Sequence, residues 1–270
     1  MASADSIKRV VDIIKSDDTR RYIVVSAPGK RSSGDEKITD LLYALYRSKD
    51  DFGEIYAKIE SRFLSLKQEL DLHLDIDREL DELATRIFKG VSEDFVVSRG
   101  EYLSAKILAE VLGAEFVDAK DTVVFRDDGT VNAEITVSKL KSALSDDLVV
   151  LPGFYGSLKG DIKTFSRGGS DISGAIVAAA VRADVYENWT DVDGVYSANP
   201  KTDKDARLIE RMTYKEMFDL SAKGANVLHK DAVYPVERAG IPINVRNTFN
   251  PMCEGTYITQ RHRYKGDNKC

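Results

Sequence analysis

The sequence predicts an α/β fold, a largely parallel sheet covered by helices on both faces. Short apolar runs, several rich in β-branched side chains, alternate with stretches of helical periodicity. The chain has 270 residues, 43% of them hydrophobic, enough for a sizeable core in one large α/β domain or two tightly packed lobes. No internal repeat or low-complexity tract breaks the alternation.

Each element has its own signal. Residues 4–16 place Ile7, Val10, Val11, Ile13 and Ile14 on one face with Lys and Arg between them, a helix with one buried side. Tyr22–Val25 is a β-branched strand, and SAPGKRSSG after it is a loop. Helical periodicity resumes at Thr39, read as the cap, and residues 54–89 predict a highly charged helical pair with a break near 74–77. Phe95–Val97 reads as a strand ending at Ser98, with Glu101 in the first turn of a helix to Leu112. Strands follow at Ala114–Val117 and Leu148–Leu151, then a hairpin over 157–168 turning at Lys159 and Gly160. A helix capped by Ser170 comes next, then a strand at Val185–Trp189. Helices over 214–220 and 226–239 and a strand at Ile241–Val245 complete the alternation, and residues 259–270 form a polar tail.

Composition narrows the function. The net charge of -6, from 39 basic and 45 acidic residues, offers nothing to nucleic acid or an anionic membrane surface. No apolar run approaches the roughly 18 residues that span a bilayer. The charged, amphipathic N-terminus lacks the apolar stretch of a signal peptide. Cys253 and Cys270 make no metal or disulfide framework, and His73, His229 and His262 are scattered, so no metal site is expected. These features predict a soluble, cytoplasmic protein.

Five stretches could carry chemistry, and each has a plain structural reading beside the functional one. In TFSRGGSDISGAIVAAAVRA, two glycines make a turn, Ser170 caps, and Asp171 favours the helix dipole. Yet Arg167 beside Gly168 and Gly169, before exposed helix N–H groups, suits an anion. In YIVVSAPGKRSSGDEKITDLL a strand delivers Ser26 into a glycine- and serine-rich loop ahead of Thr39. In FVVSRGEYLSAKILAEVLGA, Glu101 is a weak signal alone. In NWTDVDGVYSANPK, Thr190 and Asp191 end a strand, Asp193-Gly194 turns, and Tyr196 and Lys201 follow in a pattern that suits a nucleotide. In SAKGANVLHKDAVYPVERAGIPINVRNT a helix and a core strand explain most residues.

In this order, SAPGK…ITDLL, SRGE, GFYGS, SRGGSD, WTDVDGVY, GANVLH and IPINVRNT resemble the aspartate kinases of the amino-acid kinase superfamily, from about Ala2 to about Ile258. The resemblance implies a three-layer αβα sandwich with a largely parallel central sheet. It implies one amino-acid kinase domain over 1–258, with an aspartate-binding lobe over about 1–155 and an ATP-binding lobe over about 156–258. The implied reaction moves the γ-phosphate of ATP to the side-chain carboxylate of L-aspartate, giving 4-phospho-L-aspartate. This step opens lysine, threonine and methionine biosynthesis.

The resemblance also implies roles. Arg167 would hold the substrate α-carboxylate, for which a planar guanidinium is suited. Glu101 would take the ammonium, and Ser26 and Thr39 would hydrogen-bond the substrate. Gly168, Gly169 and Ser170 would bring backbone donors to it. Asp171 would orient groups around the transferring phosphate. Thr190, Asp191, Tyr196, Lys201, Asn226 and Val227 match ATP-binding positions. ATP and Mg²⁺ are the implied cofactors, the ion bridging phosphates with few protein ligands. L-Aspartate and ATP are the implied partners, with a homo-oligomer as an open alternative.

The family opens with a strand ending Lys-Phe-Gly-Gly, and MASADSIKRV matches the segment after it, so that first strand is expected to be missing. Regulatory domains of the ACT type, and feedback inhibition through them, are likewise not expected. Two alternatives stand beside the aspartate kinase: another amino-acid kinase, acting on glutamate or a nucleoside monophosphate, and a non-catalytic relative that binds nucleotide or aspartate.

Overall fold

The computed structural model describes residues 1–48, 50–145, 147–166, 168–198, 203–222, 228 and 230–261. They form two compact units, Met1–Ser170 and Asp171–Cys270. Tyr155 and Ile162 of the hairpin belong to the first unit's hydrophobic core.

The first unit begins with α1 (Ala4–Lys15), capped reciprocally by Ser3 and Ser6, and β1 (Tyr22–Val25). Helices α2 (Ile38–Arg47), α3 (Phe52–Glu69) and α4 (Ile76–Phe88) follow. Then come α5 (Glu93–Leu112), β2 (Glu115–Phe116), α6 (Ala119–Thr122) and α7 (Ala133–Ala143). β3 (Val149–Pro152) is central in a parallel three-stranded sheet of order β1-β3-β2, with Tyr22 beside Val149 and Glu115 beside the same residue. β4 (Tyr155–Leu158) and β5 (Asp161–Thr164) form the expected hairpin. Its turn at Lys159 and Gly160 has φ of 53° and 93°, the two positive values that match the twist of a hairpin. Helix α5 packs on β3 and on α2, and the core runs through Ile38, Ile59, Phe63, Leu108 and Val150.

α8 (Gly169–Val181) spans the boundary in sequence. The second unit continues with β6 (Tyr186–Thr190), β7 (Arg211–Thr213), α9 (Tyr214–Ala222), α10 (Lys230–Ala239), β8 (Ile243–Asn247) and β9 (Thr256–Thr259). Its sheet has the order β6-β8-β9-β7, parallel at β6/β8 and β7/β9 and antiparallel at β8/β9. Ala175, Met217, Val233, Ile243 and Ile258 lie at the centre of its core. Among the described residues, no helix is long and apolar enough to cross a membrane.

Several expectations need correcting. Phe95–Val97 is not a strand but lies within α5. A short apolar run cannot be told from a buried helical segment by periodicity alone. The deciding signals stood upstream: Ser92 accepts from the Phe95 N–H as N-cap, and Glu93 and Asp94 occupy the first turn. Thr39 is not a cap, since α2 starts at Ile38 after Lys37, and Ser170 is the second residue of α8 rather than its cap. The last predicted strand lies at Ile243–Asn247, because Gly240, Ile241 and Pro242 form the link into it. α7, β7 and β9 carry signals too short or too polar for the sequence reading to isolate.

Candidate active site

In the first unit, glycines bring the predicted residues together at the carboxyl ends of β1 and β3. A Cβ on Gly100 would lie 2.8 Å from the Ala27 Cβ and 3.2 Å from Ile38 Cγ2, so α5 passes against the segment after β1 and the first turn of α2 only without a side chain there. That contact places Glu101 beside Ala27, next to Ser26, with Thr39 adjacent to Ile38. A Cβ on Gly153 would lie 2.8 Å from Ser170 Cα and Oγ, and the Gly153 N–H donates to the Val25 carbonyl at 2.9 Å. Ser170 is thereby tied to the same strand ends. Gly169 is buried against Phe154, while Gly168, at φ 58°, stays exposed. Phe154 itself holds a φ of 74°, and its carbonyl accepts from the Phe165 N–H at 2.9 Å.

Glu101 is the feature of greatest consequence here. It does not sit in a first turn; it lies in the middle of α5 and is only 5% exposed. The Ala27 N–H donates to its carboxylate, yet its Oε2 has no partner among the described residues. Burial pushes its pKa up to about 8, against smaller opposing effects from the Ala27 and Glu101 backbone and from Arg99. One turn on, Ser104 Oγ is also buried without a described partner. A buried acid of this kind is poised to receive a cation.

In the second unit, Asp171 and the residues at the end of β6 share one network. Asn188 Nδ2 donates to Asp171 Oδ1 at 3.0 Å and to the Tyr186 hydroxyl at 3.2 Å, and that hydroxyl donates to the Asp171 carbonyl at 3.2 Å. Asn188 and Thr190 stand two residues apart on β6, hence on one face. Thr190 Oγ1 donates to Asp191 Oδ1 at 3.3 Å, and the Thr190 carbonyl accepts from the Thr248 N–H at 2.8 Å. Asp193 Oδ1 accepts from Asn247 Nδ2 at 2.8 Å and Asn250 Nδ2 at 3.1 Å, bracing the turn. Tyr196 is half-buried, bridged to Leu208, and its hydroxyl pKa is raised by burial and by Asp193 and Cys253. Asp191 is exposed. Arg167, Lys201, Asn226 and Val227 lie outside the described residues.

A cavity of about 840 Å³ opens elsewhere in the first unit, lined by Asp94, Phe95, Arg99, Tyr102, Asp118 and Lys163 among others. None of the predicted site residues lines it. Its charges are largely settled internally: Lys163 meets Asp94 at 2.9 Å, and Arg86 and Arg99 lie over the Phe95 ring at 4.1 and 4.6 Å. Residues the sequence reading passed over, Asn188 and Arg62, act through others. Asn188 could have been noticed as an amide on a strand two positions before Thr190. Arg62 could have been noticed as a cation inside an apolar helical stripe.

Comparisons with known proteins bear on the family and the fold. The model of the Amino acid kinase family matches residues 1–247. Aspartokinase 3 of Bacillus subtilis is 38% identical over 280 residues, covering 97% of this chain and 62% of that protein. The crystal structure of Clostridium acetobutylicum aspartate kinase superposes with a TM-score of 0.91 at 42% identity, covering 98% of this chain and 61% of the other. E. coli aspartokinase III in complex with aspartate and ADP superposes with a TM-score of 0.87 at 27% identity, covering 97% and 63%. The fold is therefore that of these kinases, and the chain spans about three fifths of their length.

Proposed function

The chain belongs to the amino acid kinase family, and from that premise we propose that it carries the catalytic domain of an aspartate kinase, transferring the γ-phosphoryl group of ATP to the side-chain carboxylate of L-aspartate. The observation that carries the reading is Glu101: a buried carboxylate with one oxygen that has no partner among the described residues, next to Ser26 and Ala27 at the carboxyl ends of parallel strands. An α-ammonium is the cation such a group takes. A nucleoside monophosphate brings no ammonium and would leave Glu101 facing a second phosphate.

In this reading, Ser26, Thr39, Glu101 and Ser170 receive aspartate, and Arg167 pairs with its α-carboxylate. Backbone N–H groups at Gly168 and Gly169, at the positive end of α8, stabilise charge on the transferring group. Thr190, Asp191 and Tyr196 receive the nucleotide, with Lys201, Asn226 and Val227. The side-chain carboxylate of the substrate is already ionised at pH 7, so no general base is needed. Its oxygen forms the new bond to the γ-phosphorus as the bond to the ADP oxygen breaks. The protein's task is alignment of two anions and neutralisation of charge. Asp171, whose Oδ1 accepts from Asn188, would offer one carboxylate to a Mg²⁺. When bound, that ion supplies neutralisation of the phosphate charge. The product, 4-phospho-L-aspartate, fits a cytoplasmic biosynthetic enzyme feeding lysine, threonine and methionine.

The test is ADP release with L-aspartate, L-glutamate, carbamate and uridylate offered in parallel. Release with aspartate alone is expected. A clear preference for any other acceptor overturns the assignment, and binding of ATP or aspartate without turnover favours a non-catalytic relative.

A further inference from the structure

Helix α3 places an arginine where its apolar stripe calls for a hydrocarbon. Ile55, Ile59, Phe63 and Leu66 make the stripe, and Arg62 lies within it, 4% exposed. Its Nη2 donates to the Gly29 carbonyl at 2.8 Å, and its Nη1 to Asp35 Oδ2 at 2.9 Å and the Glu36 carbonyl at 3.1 Å. Gly29 and Glu36 stand near opposite ends of the loop between β1 and α2. One buried guanidinium therefore holds both limbs. Asp35 is locked in turn by Arg31, whose backbone N–H and Nε donate to Oδ2 at 2.9 and 3.0 Å.

Burying a cation is costly, and a leucine would serve the stripe better if core stability were the only demand. The loop explains the arginine. Its crown, residues 30–34, is exposed and has no core of its own. Its first limb carries Ser26 and Ala27, whose N–H meets Glu101, and Pro28 stiffens the link from Ala27 to Gly29. The Pro28 carbonyl also accepts from the Ile38 N–H at 3.3 Å, next to Thr39.

We propose that Arg62 is a positioning residue for the amino-acid end of the site: it pins residues 26–37 so that Ala27, Ser26 and Thr39 stay in register with Glu101. Arg62 does not touch substrate. The proposal rests on reading that pocket as the aspartate site.

Arg62→Leu tests it, with calorimetric Kd values for L-aspartate and ATP and amide hydrogen exchange over residues 26–37. The expected result is aspartate binding weakened ~10-fold or more, as a displacement of about 1 Å readily does. ATP affinity should stay within roughly twofold and loop exchange should quicken. Should Arg62→Leu fail to fold, Arg62→Lys, which keeps the charge but not the fork, gives the same pattern more weakly. Millimolar guanidinium added to Arg62→Ala should restore part of the aspartate affinity. Unchanged aspartate affinity with unchanged loop exchange overturns the proposal, as does parallel loss of both affinities in step with unfolding. A wild-type chain that does not bind aspartate overturns the functional reading instead, while the exchange data decide separately whether the clamp exists.

Discussion

The two units hold their candidate site residues on opposite terms. In the first, Glu101 is buried with one oxygen that has no partner among the described residues, and its pKa is pushed up to about 8. In the second, Asp171 is braced by Asn188, Thr190 meets Asp191, and Asp193 is held by Asn247 and Asn250. The first half leaves this acid short of a hydrogen-bond partner among the described residues. The second is already knit together, and its outermost carboxylate, Asp191, faces solvent. Selectivity for an amino acid should reside in the first half. Nucleotide binding should depend on many small contributions in the second.

The largest effect expected from this contrast follows Glu101→Gln. Aspartate binding should weaken by about 10²-fold, because the substrate ammonium loses a buried charged partner. The same variant should be more stable at pH 8 than the wild type. Above pH 4.5 the unfolded chain ionises this acid while the folded chain keeps it protonated until about pH 8, so wild-type stability falls across that window. The loss is on the order of a few kcal/mol, and urea unfolding at pH 5 and pH 8 checks it. Equal pH dependence in the two proteins would remove the electrostatic account of Glu101.

Gly100→Ala should come next. The added methyl group would sit 2.8 Å from the Ala27 Cβ, so α5 or the loop must move. A destabilisation of ~1–3 kcal/mol is expected, with aspartate affinity falling further than ATP affinity. Ordinary stability with ordinary aspartate affinity would show that the close approach does not set the site.

Asn188→Ala removes one donor from Asp171. Turnover should fall roughly fivefold for a loss of about 1 kcal/mol, with both substrate affinities nearly unchanged. A variant with full turnover would leave Asp171 outside the chemistry. The smallest effect belongs to Asp191→Asn: stability should move by no more than ~0.5 kcal/mol, and ATP affinity by a few-fold. A large effect here would erase the contrast between the halves.

Much of the fold was legible because its signals are local. β1 fell where the β-branched run Tyr22–Val25 predicted it, and the hairpin turned at Lys159 and Gly160 as the turn residues require. The helix from Gly169 and the strand ending at Thr190 were likewise readable within a residue or two. α5 was misread because FVVS is as compatible with a buried helix as with a strand, and only its cap distinguishes them. The site residues came chiefly from ordered motifs rather than from spacing. Physical reading of Glu101 gave only a dipole-favoured acid in a first turn, whereas the fold buries it in mid-helix. Its burial arises from residues distant in sequence, and no local pattern encodes it. Arg62 and Asn188 escaped for the same reason: each acts on a neighbour that only the tertiary fold supplies.

The central claim is that Glu101 is protonated in the free protein near neutral pH and loses its proton to solvent when an ammonium ligand binds beside it. Calorimetric titration of L-aspartate at pH 7, in buffers of different ionisation enthalpy, measures this as protons released per binding event. Release of close to one proton is expected, absent in Glu101→Gln, with affinity rising as pH goes from 6 to 8. Tight binding with no proton release, and no change in affinity over that range, would contradict it.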